Sequence, residues 1–106
     1  MKSLDSEKII KRVFEEIDRG KEEMISTAQQ LVRIPSVVGK EMEAQKFIEG
    51  KLKEMGLKVD TFDAKLEEVK DHETYIQVPY PYENRPNVVA VLEGSPQSKS
   101  LIINGH

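Results

Sequence analysis

The feature that most constrains this chain is a pair of uninterrupted apolar runs of β type near residue 106. Val88 to Leu92 is one run, Leu101 to Ile103 is the other, and Glu93 to Ser100 joins them with residues typical of turns. The pattern predicts strands over about 87–93 and 100–105, paired as an antiparallel hairpin. Because the runs do not alternate with polar residues, we expect both faces of these strands to be buried, as in the centre of a layered α/β sheet.

The preceding residues predict two amphipathic helices and one further strand. Apolar side chains at three- and four-residue spacing predict a helix over about 6–33, and Gly20 interrupts its pattern. One long or slightly bent helix is favoured, with two helices as the alternative. A second helix is predicted over about 40–55, followed by Gly56 and a strand over about 57–62. The fold class is therefore α/β.

The segment from 63 to 86 has the composition of an ordered surface loop. Three prolines at 79, 81 and 86 lie within eight residues, which forbids a central strand. Leu66 and Val69 have the spacing of a helical turn. We expect the tyrosines of this loop to pack down onto the domain.

Composition excludes several function classes. The net charge is −3 and basic residues are mixed with acidic ones, so no nucleic-acid surface is expected. No apolar run approaches the roughly 20 residues of a membrane helix. The N-terminus becomes acidic at Asp5 before any hydrophobic stretch, unlike a secretory signal, and there is no cysteine. A cytoplasmic protein is the resulting expectation.

The predicted sheet is too small to be complete. Two doubly buried strands need helices on both sides and neighbouring strands at their margins. The sequence supplies two helices and one more strand, so we interpret residues 1–106 as the N-terminal part of a larger catalytic domain.

Residues Asn104-Gly105-His106 come directly after the last predicted strand. In open α/β sheets, active sites gather at the carboxyl ends of strands, and a glycine there permits a sharp turn. A histidine in that place can bind a metal or act as an acid–base group.

The order of several motifs resembles one enzyme family. The motifs are Leu31-Val32-Arg33-Ile34-Pro35-Ser36, Met55-Gly56-Leu57-Lys58-Val59, Arg85-Pro86-Asn87-Val88-Val89-Ala90 and Leu101-Ile102-Ile103-Asn104-Gly105-His106. Together they are similar to the start of the zinc-dependent amidohydrolase and exopeptidase family of acetylornithine deacetylase, succinyl-diaminopimelate desuccinylase, aminoacylase and glutamate carboxypeptidase. The insert from Asp63 to Asn84 looks most like the deacylase members.

The resemblance implies a fold, a reaction and a metal. The family has an α/β catalytic domain with an inserted lid or dimerisation domain, which is absent from this sequence. His106 maps onto the first metal ligand of the family's Gly-His-x-Asp motif; the supporting Asp, the other ligands and the general base have no counterpart here. The implied reaction is two-zinc hydrolysis of an N-acyl amino acid or peptide, with cobalt or manganese as alternative metals. The resemblance also allows a homo-oligomer.

A catalytic metal needs about three protein ligands. Because this chain supplies one, we expect no catalytic residue within it and no activity from residues 1–106 alone.

Other chemically notable residues receive structural interpretations. His72, between Asp71 and Glu73, is interpreted as part of a charged solvated turn, because adjacent side chains in an extended loop do not converge on one ion. Arg33 is interpreted as a helix cap or a surface ion pair. The alternative to an enzyme is a small binding module that uses an exposed strand edge or the tyrosine-proline loop.

Overall fold

The computed structural model describes the backbone of residues 2–106 and the side chains of residues 5–106. Met1, the first residue of the predicted domain 1–106, lies outside the described residues. The chain divides into two compact units, one ending at Pro35 and the other spanning Ser36–His106.

The first unit consists of two helices that meet at one residue. Helix α1 spans Lys2–Arg19, and helix α2 spans Lys21–Arg33. Gly20 separates them, but the N–H of Met24 still donates to the Gly20 carbonyl at 3.0 Å. The structure therefore has the two helices that the sequence left as the alternative, with backbone hydrogen bonding continuing across the junction.

Helix α2 ends where proline forbids its continuation. Ile34 is extended, with φ −80° and ψ 118°, and its N–H donates to the Leu31 carbonyl. A residue before proline is disfavoured in the α region, so Pro35 fixes this boundary. The apolar stripe of the first unit is largely exposed, with exposed fractions of 49% to 62% at Ile10, Val13, Phe14, Ile17 and Met24.

The second unit is one helix against a two-stranded sheet, with a loop between the strands. Helix α3 spans Met42–Glu54 and strand β1 spans Lys58–Phe62. The loop contains the four-residue helix α4, Leu66–Val69, and leads to strand β2, Asn87–Val91. Gly56 turns the chain from α3 into β1 at a φ of 77°, a left-handed conformation that glycine adopts without steric cost.

Strands β1 and β2 are antiparallel partners. Val59 lies opposite Ala90 and Thr61 opposite Val88, and α3 contacts both strands. Along β2, half-buried residues alternate with exposed ones. The prediction that this strand is buried on both faces is wrong for the described residues, because α3 covers one face only.

The predicted hairpin between 87–93 and 100–105 is also wrong. The partner of β2 is β1, and residues 92–106 form no strand. The C-terminal apolar segment, Leu101–Ile103, is 84% to 89% exposed. A strand needs a neighbour for its backbone N–H and C=O groups, and the segment has none among the described residues.

The mixed α/β composition expected from the sequence is confirmed, whereas a layered catalytic sheet remains a prediction. No side chain among residues 5–106 is buried. Within the described part of the chain, no helix is both long and apolar enough to cross a membrane.

Candidate functional site

His106, the predicted metal ligand, lies in the irregular segment that follows the C-terminal apolar segment. Its side chain is exposed. Among the described residues, no group of three or more His, Cys, Asp or Glu side chains is placed to hold a metal ion. A catalytic zinc site has three protein ligands, so the residues described do not fit zinc by themselves. His106 as a metal ligand stays a prediction.

His72 is held by its own turn. The N–H of Thr74 donates to the His72 Nδ1 at 3.2 Å, and the Thr74 hydroxyl lies 2.8 Å from the same nitrogen. Because Nδ1 accepts the backbone N–H, this nitrogen is engaged locally. The structure places His72 in an exposed turn of the kind the sequence predicted.

The tyrosines occupy two different environments. Tyr75 and Tyr82 are half-buried and line a shallow hollow with Glu68 and His72. Tyr80 lies against the backbone at Gly39, where an added Cβ would come 3.1 Å from the Tyr80 Cδ1. Tyr80 therefore ties the loop to the segment that precedes α3, in line with the packing expected from the sequence.

The densest polar cluster of the second unit surrounds Glu41 and Arg85. The Arg85 Nε donates to the Glu41 Oε2 at 2.9 Å, and the Arg85 Nη2 donates to the Glu41 Oε1 at 3.0 Å. The Gly39 N–H also donates to the Glu41 Oε1, at 2.9 Å. The Arg85 guanidinium lies 5.5 Å from the centre of the Tyr80 ring, within cation–π range.

The electrostatics of this pair follow from its two parallel hydrogen bonds. Hydrogen bonding from Arg85, with a second bond from the Gly39 N–H, lowers the pKa of Glu41 from 4.5 to about 2. Hydrogen bonding to Glu41 raises the pKa of Arg85. Both groups are therefore charged at neutral pH. Their side chains are 30% and 21% exposed, which makes this pair better shielded than a typical surface salt bridge.

Three further hydrogen bonds lie at the same place, where the two ends of the loop meet. The carboxylate of Asp63 accepts the N–H of Arg85 at 3.1 Å and the N–H of Asn84 at 3.3 Å. The Gln45 side chain of α3 donates to the Pro86 carbonyl at 2.8 Å. We call the set Gly39, Glu41, Gln45, Asp63, Tyr80, Asn84, Arg85 and Pro86 the loop base.

Sequence reasoning missed the loop base. In the sequence, Glu41 is only an acidic residue near the start of a helix, and Arg85 is only part of a motif. Their pairing joins residues 44 positions apart. A single sequence contains no signal for such a contact beyond the opposite charges of the two side chains.

Comparison with curated proteins gives an informative relative. The chain is 32% identical, over 103 residues, to the N-formyl-4-amino-5-aminomethyl-2-methylpyrimidine deformylase of Halalkalibacterium halodurans. The match covers 92% of this chain but only 20% of the relative, so the chain spans about a fifth of that protein's length. No protein-family model matches the chain. No solved structure matches it significantly.

Proposed function

We propose that residues 1–106 are the N-terminal part of the catalytic domain of an amide hydrolase that removes an acyl group from an amine. The observation that carries the proposal is the similarity to a deformylase over 92% of the chain. Removal of a formyl group from an amine nitrogen is amide hydrolysis, the reaction class that the sequence motifs also suggest. The motifs and the relative both point to hydrolysis of an amide C–N bond.

The proposed substrate class is an N-acyl amine. An N-acyl amino acid follows from the family resemblance, and an N-formylated aminomethylpyrimidine follows from the name of the relative. Both present a secondary amide whose hydrolysis releases a primary amine. Cytoplasmic location, zinc as the metal and a homo-oligomeric state belong to the same proposal.

The part assigned to this chain is to carry one metal ligand and to build one side of the sheet. In a longer chain, His106 would be a ligand to zinc, which supplies an activated water when bound. The described residues include no complete set of metal ligands, so residues 1–106 are expected to be inactive alone.

The proposal is tested on the longer natural protein that it requires. The protein is incubated with N-formyl, N-acetyl and N-succinyl amines, and release of primary amine is measured together with bound zinc. His106→Ala should lower both zinc content and rate, the rate by at least about 100-fold, since metal ligands support affinity and activity together. His72→Ala is the matched control, because the Nδ1 of His72 is engaged by its own turn.

Two results would overturn the proposal. One is the absence of amine release from every acyl class in the presence of zinc. The other is equal loss of zinc and activity in the His106 and His72 variants, which would show that His106 has no special role.

A further inference from the structure

The loop between the strands leaves the sheet and returns to it at neighbouring positions. Phe62, the last residue of β1, lies opposite Asn87, the first residue of β2. The antiparallel ladder therefore already brings the ends of the loop together. Whatever orders residues 64–83 must act in addition to the sheet.

The interior of the loop has little of its own to hold it. Helix α4 has four residues, and the backbone hydrogen bonds of the loop run over three or four residues, such as His72 N–H to the Val69 carbonyl and Tyr75 N–H to the His72 carbonyl. A helix this short does not persist alone in water. Val69, Tyr75 and Tyr82 are the half-buried apolar or aromatic side chains of the segment from 65 to 82, and none is fully buried.

Arg85 joins the two ends of the loop through its backbone and ties the loop to the rest of the unit through its side chain. The backbone N–H of Arg85 binds Asp63 at the start of the loop, and its guanidinium binds Glu41 before α3. The same guanidinium donates to the Pro81 carbonyl at 3.2 Å and lies over Tyr80. Removal of the side chain of Arg85 thus breaks several loop contacts at once.

The contacts that hold the sheet together do not involve the Arg85 side chain. Five residue pairs form the β1–β2 ladder, and α3 contacts both strands directly. Gln45 holds the Pro86 carbonyl independently of Glu41. The sheet and the loop are therefore held by separable sets of interactions.

We propose that the Glu41–Arg85 pair acts as a latch: it holds residues 64–83 against the rest of the unit. When the pair breaks, these residues are released while β1, β2 and α3 stay together. The inference is independent of the proposed hydrolase activity. It assigns a conformational function to a segment whose prolines and tyrosines the sheet does not require.

Hydrogen exchange measured by mass spectrometry tests the latch on the 106-residue chain. The state of residues 64–83 is read from the loop amides that donate hydrogen bonds within the loop, those of Glu68, Lys70, His72 and Tyr75. The state of the sheet is read from the amides of β1 and β2. In Arg85→Met, the loop amides should exchange at least about tenfold faster, and the sheet amides should stay within about twofold of the parent. Glu41→Gln is the milder second variant, with a smaller increase confined to the same amides.

Lys58→Met is the matched control. It removes the exposed pair between Lys58 and Glu93, whose side chains are 75% and 68% exposed, and should leave the loop amides unchanged. Equal acceleration of loop and sheet in Arg85→Met and Glu41→Gln would overturn the proposal, because the pair would then stabilise the whole unit. Unchanged loop exchange in both variants would overturn it as well.

Discussion

The loop base and the C-terminal apolar segment lie in the same unit but differ in how completely their contacts are made. In the loop base, carboxylates, a guanidinium and backbone groups find partners at 2.8 to 3.3 Å across as many as 44 positions of sequence. Leu101–Ile103, in contrast, exposes 84% to 89% of its surface.

The difference shows which interactions a short stretch of chain can complete by itself. A directional ion pair needs two residues and a few backbone groups, all of which lie between 39 and 86. Burial of an apolar strand needs a second layer and a neighbouring strand. The polar junction is therefore formed within residues 36–106, whereas the apolar segment stays exposed among the described residues.

The largest expected effect comes from breaking the loop base. Arg85→Met should let a protease cut residues 64–83 at least about tenfold faster than in the parent chain, because the guanidinium no longer contacts Glu41, Pro81 and Tyr80. Limited proteolysis with mapping of the cut sites measures the change. Lys58→Met, which removes an exposed pair, should leave the cleavage rate of these residues unchanged; equal acceleration in both variants would contradict the special status of the loop base.

The contact between the loop and the segment before α3 gives a second test. Gly39 has a φ of +91° and sits against Tyr80, so Gly39→Ala should destabilise by about 1 to 2 kcal/mol. Gly50 lies inside α3 with nothing within 4 Å of an added Cβ, and Gly50→Ala should stabilise by about 0.5 to 1 kcal/mol. If thermal unfolding showed that Gly39→Ala and Gly50→Ala change the stability in the same direction, this account would be contradicted.

Acid should weaken the loop base in a defined range. The pKa of Glu41 is about 2 in the folded chain, against its ordinary value of 4.5, so the contribution of the ionised carboxylate is complete above pH 4.5 and is lost as pH falls toward 2. After allowance for solvent screening, the loss between pH 7 and pH 3 is on the order of 1 kcal/mol.

The Glu41→Gln variant isolates that contribution, since all other carboxylates titrate in both proteins. Between the two pH values, protection of the loop amides, corrected for their intrinsic exchange rates, should fall about fivefold more in the parent chain than in the variant. Identical pH profiles of loop protection would show that the charge of Glu41 does not hold the loop.

The smallest stability effect is expected in the apolar segment. Replacing Leu101, Ile102 and Ile103 by serine should change the free energy of unfolding by less than about 0.5 kcal/mol, because these side chains are already exposed. The same replacement should reduce self-association at high concentration, measured by sedimentation velocity, since exposed apolar segments pair with other chains. A large stability loss would show that the segment is packed.

The sequence predicts what short-range patterns encode. Pro35 sets the end of α2, Gly56 sets the turn into β1, and alternation marks β1 itself. The predicted pairing of the strands is wrong, because the partner of β2 is β1, whose residues are far from β2 in sequence, and residues 92–106 form no strand. Local pattern does not decide between two partners for one strand.

Of the candidate metal site, the sequence predicts only the position of one residue. The family resemblance puts a predicted metal ligand at His106, and residues 1–106 offer no pattern from which the other ligands could be predicted. The loop base is not foreseeable because Glu41 and Arg85 each have an ordinary local explanation. Their role depends on a contact between two residues that lie 44 positions apart in the sequence.

The most direct test of the central claim, that residues 1–106 belong to a larger catalytic sheet, is hydrogen exchange at residues 101–104 in two proteins. In the 106-residue chain, these amides should exchange at rates close to those of an unstructured peptide. In the longer natural protein that the proposal requires, they should be protected at least about 100-fold, because the segment then pairs as a strand. Equally fast exchange in both proteins would contradict the claim.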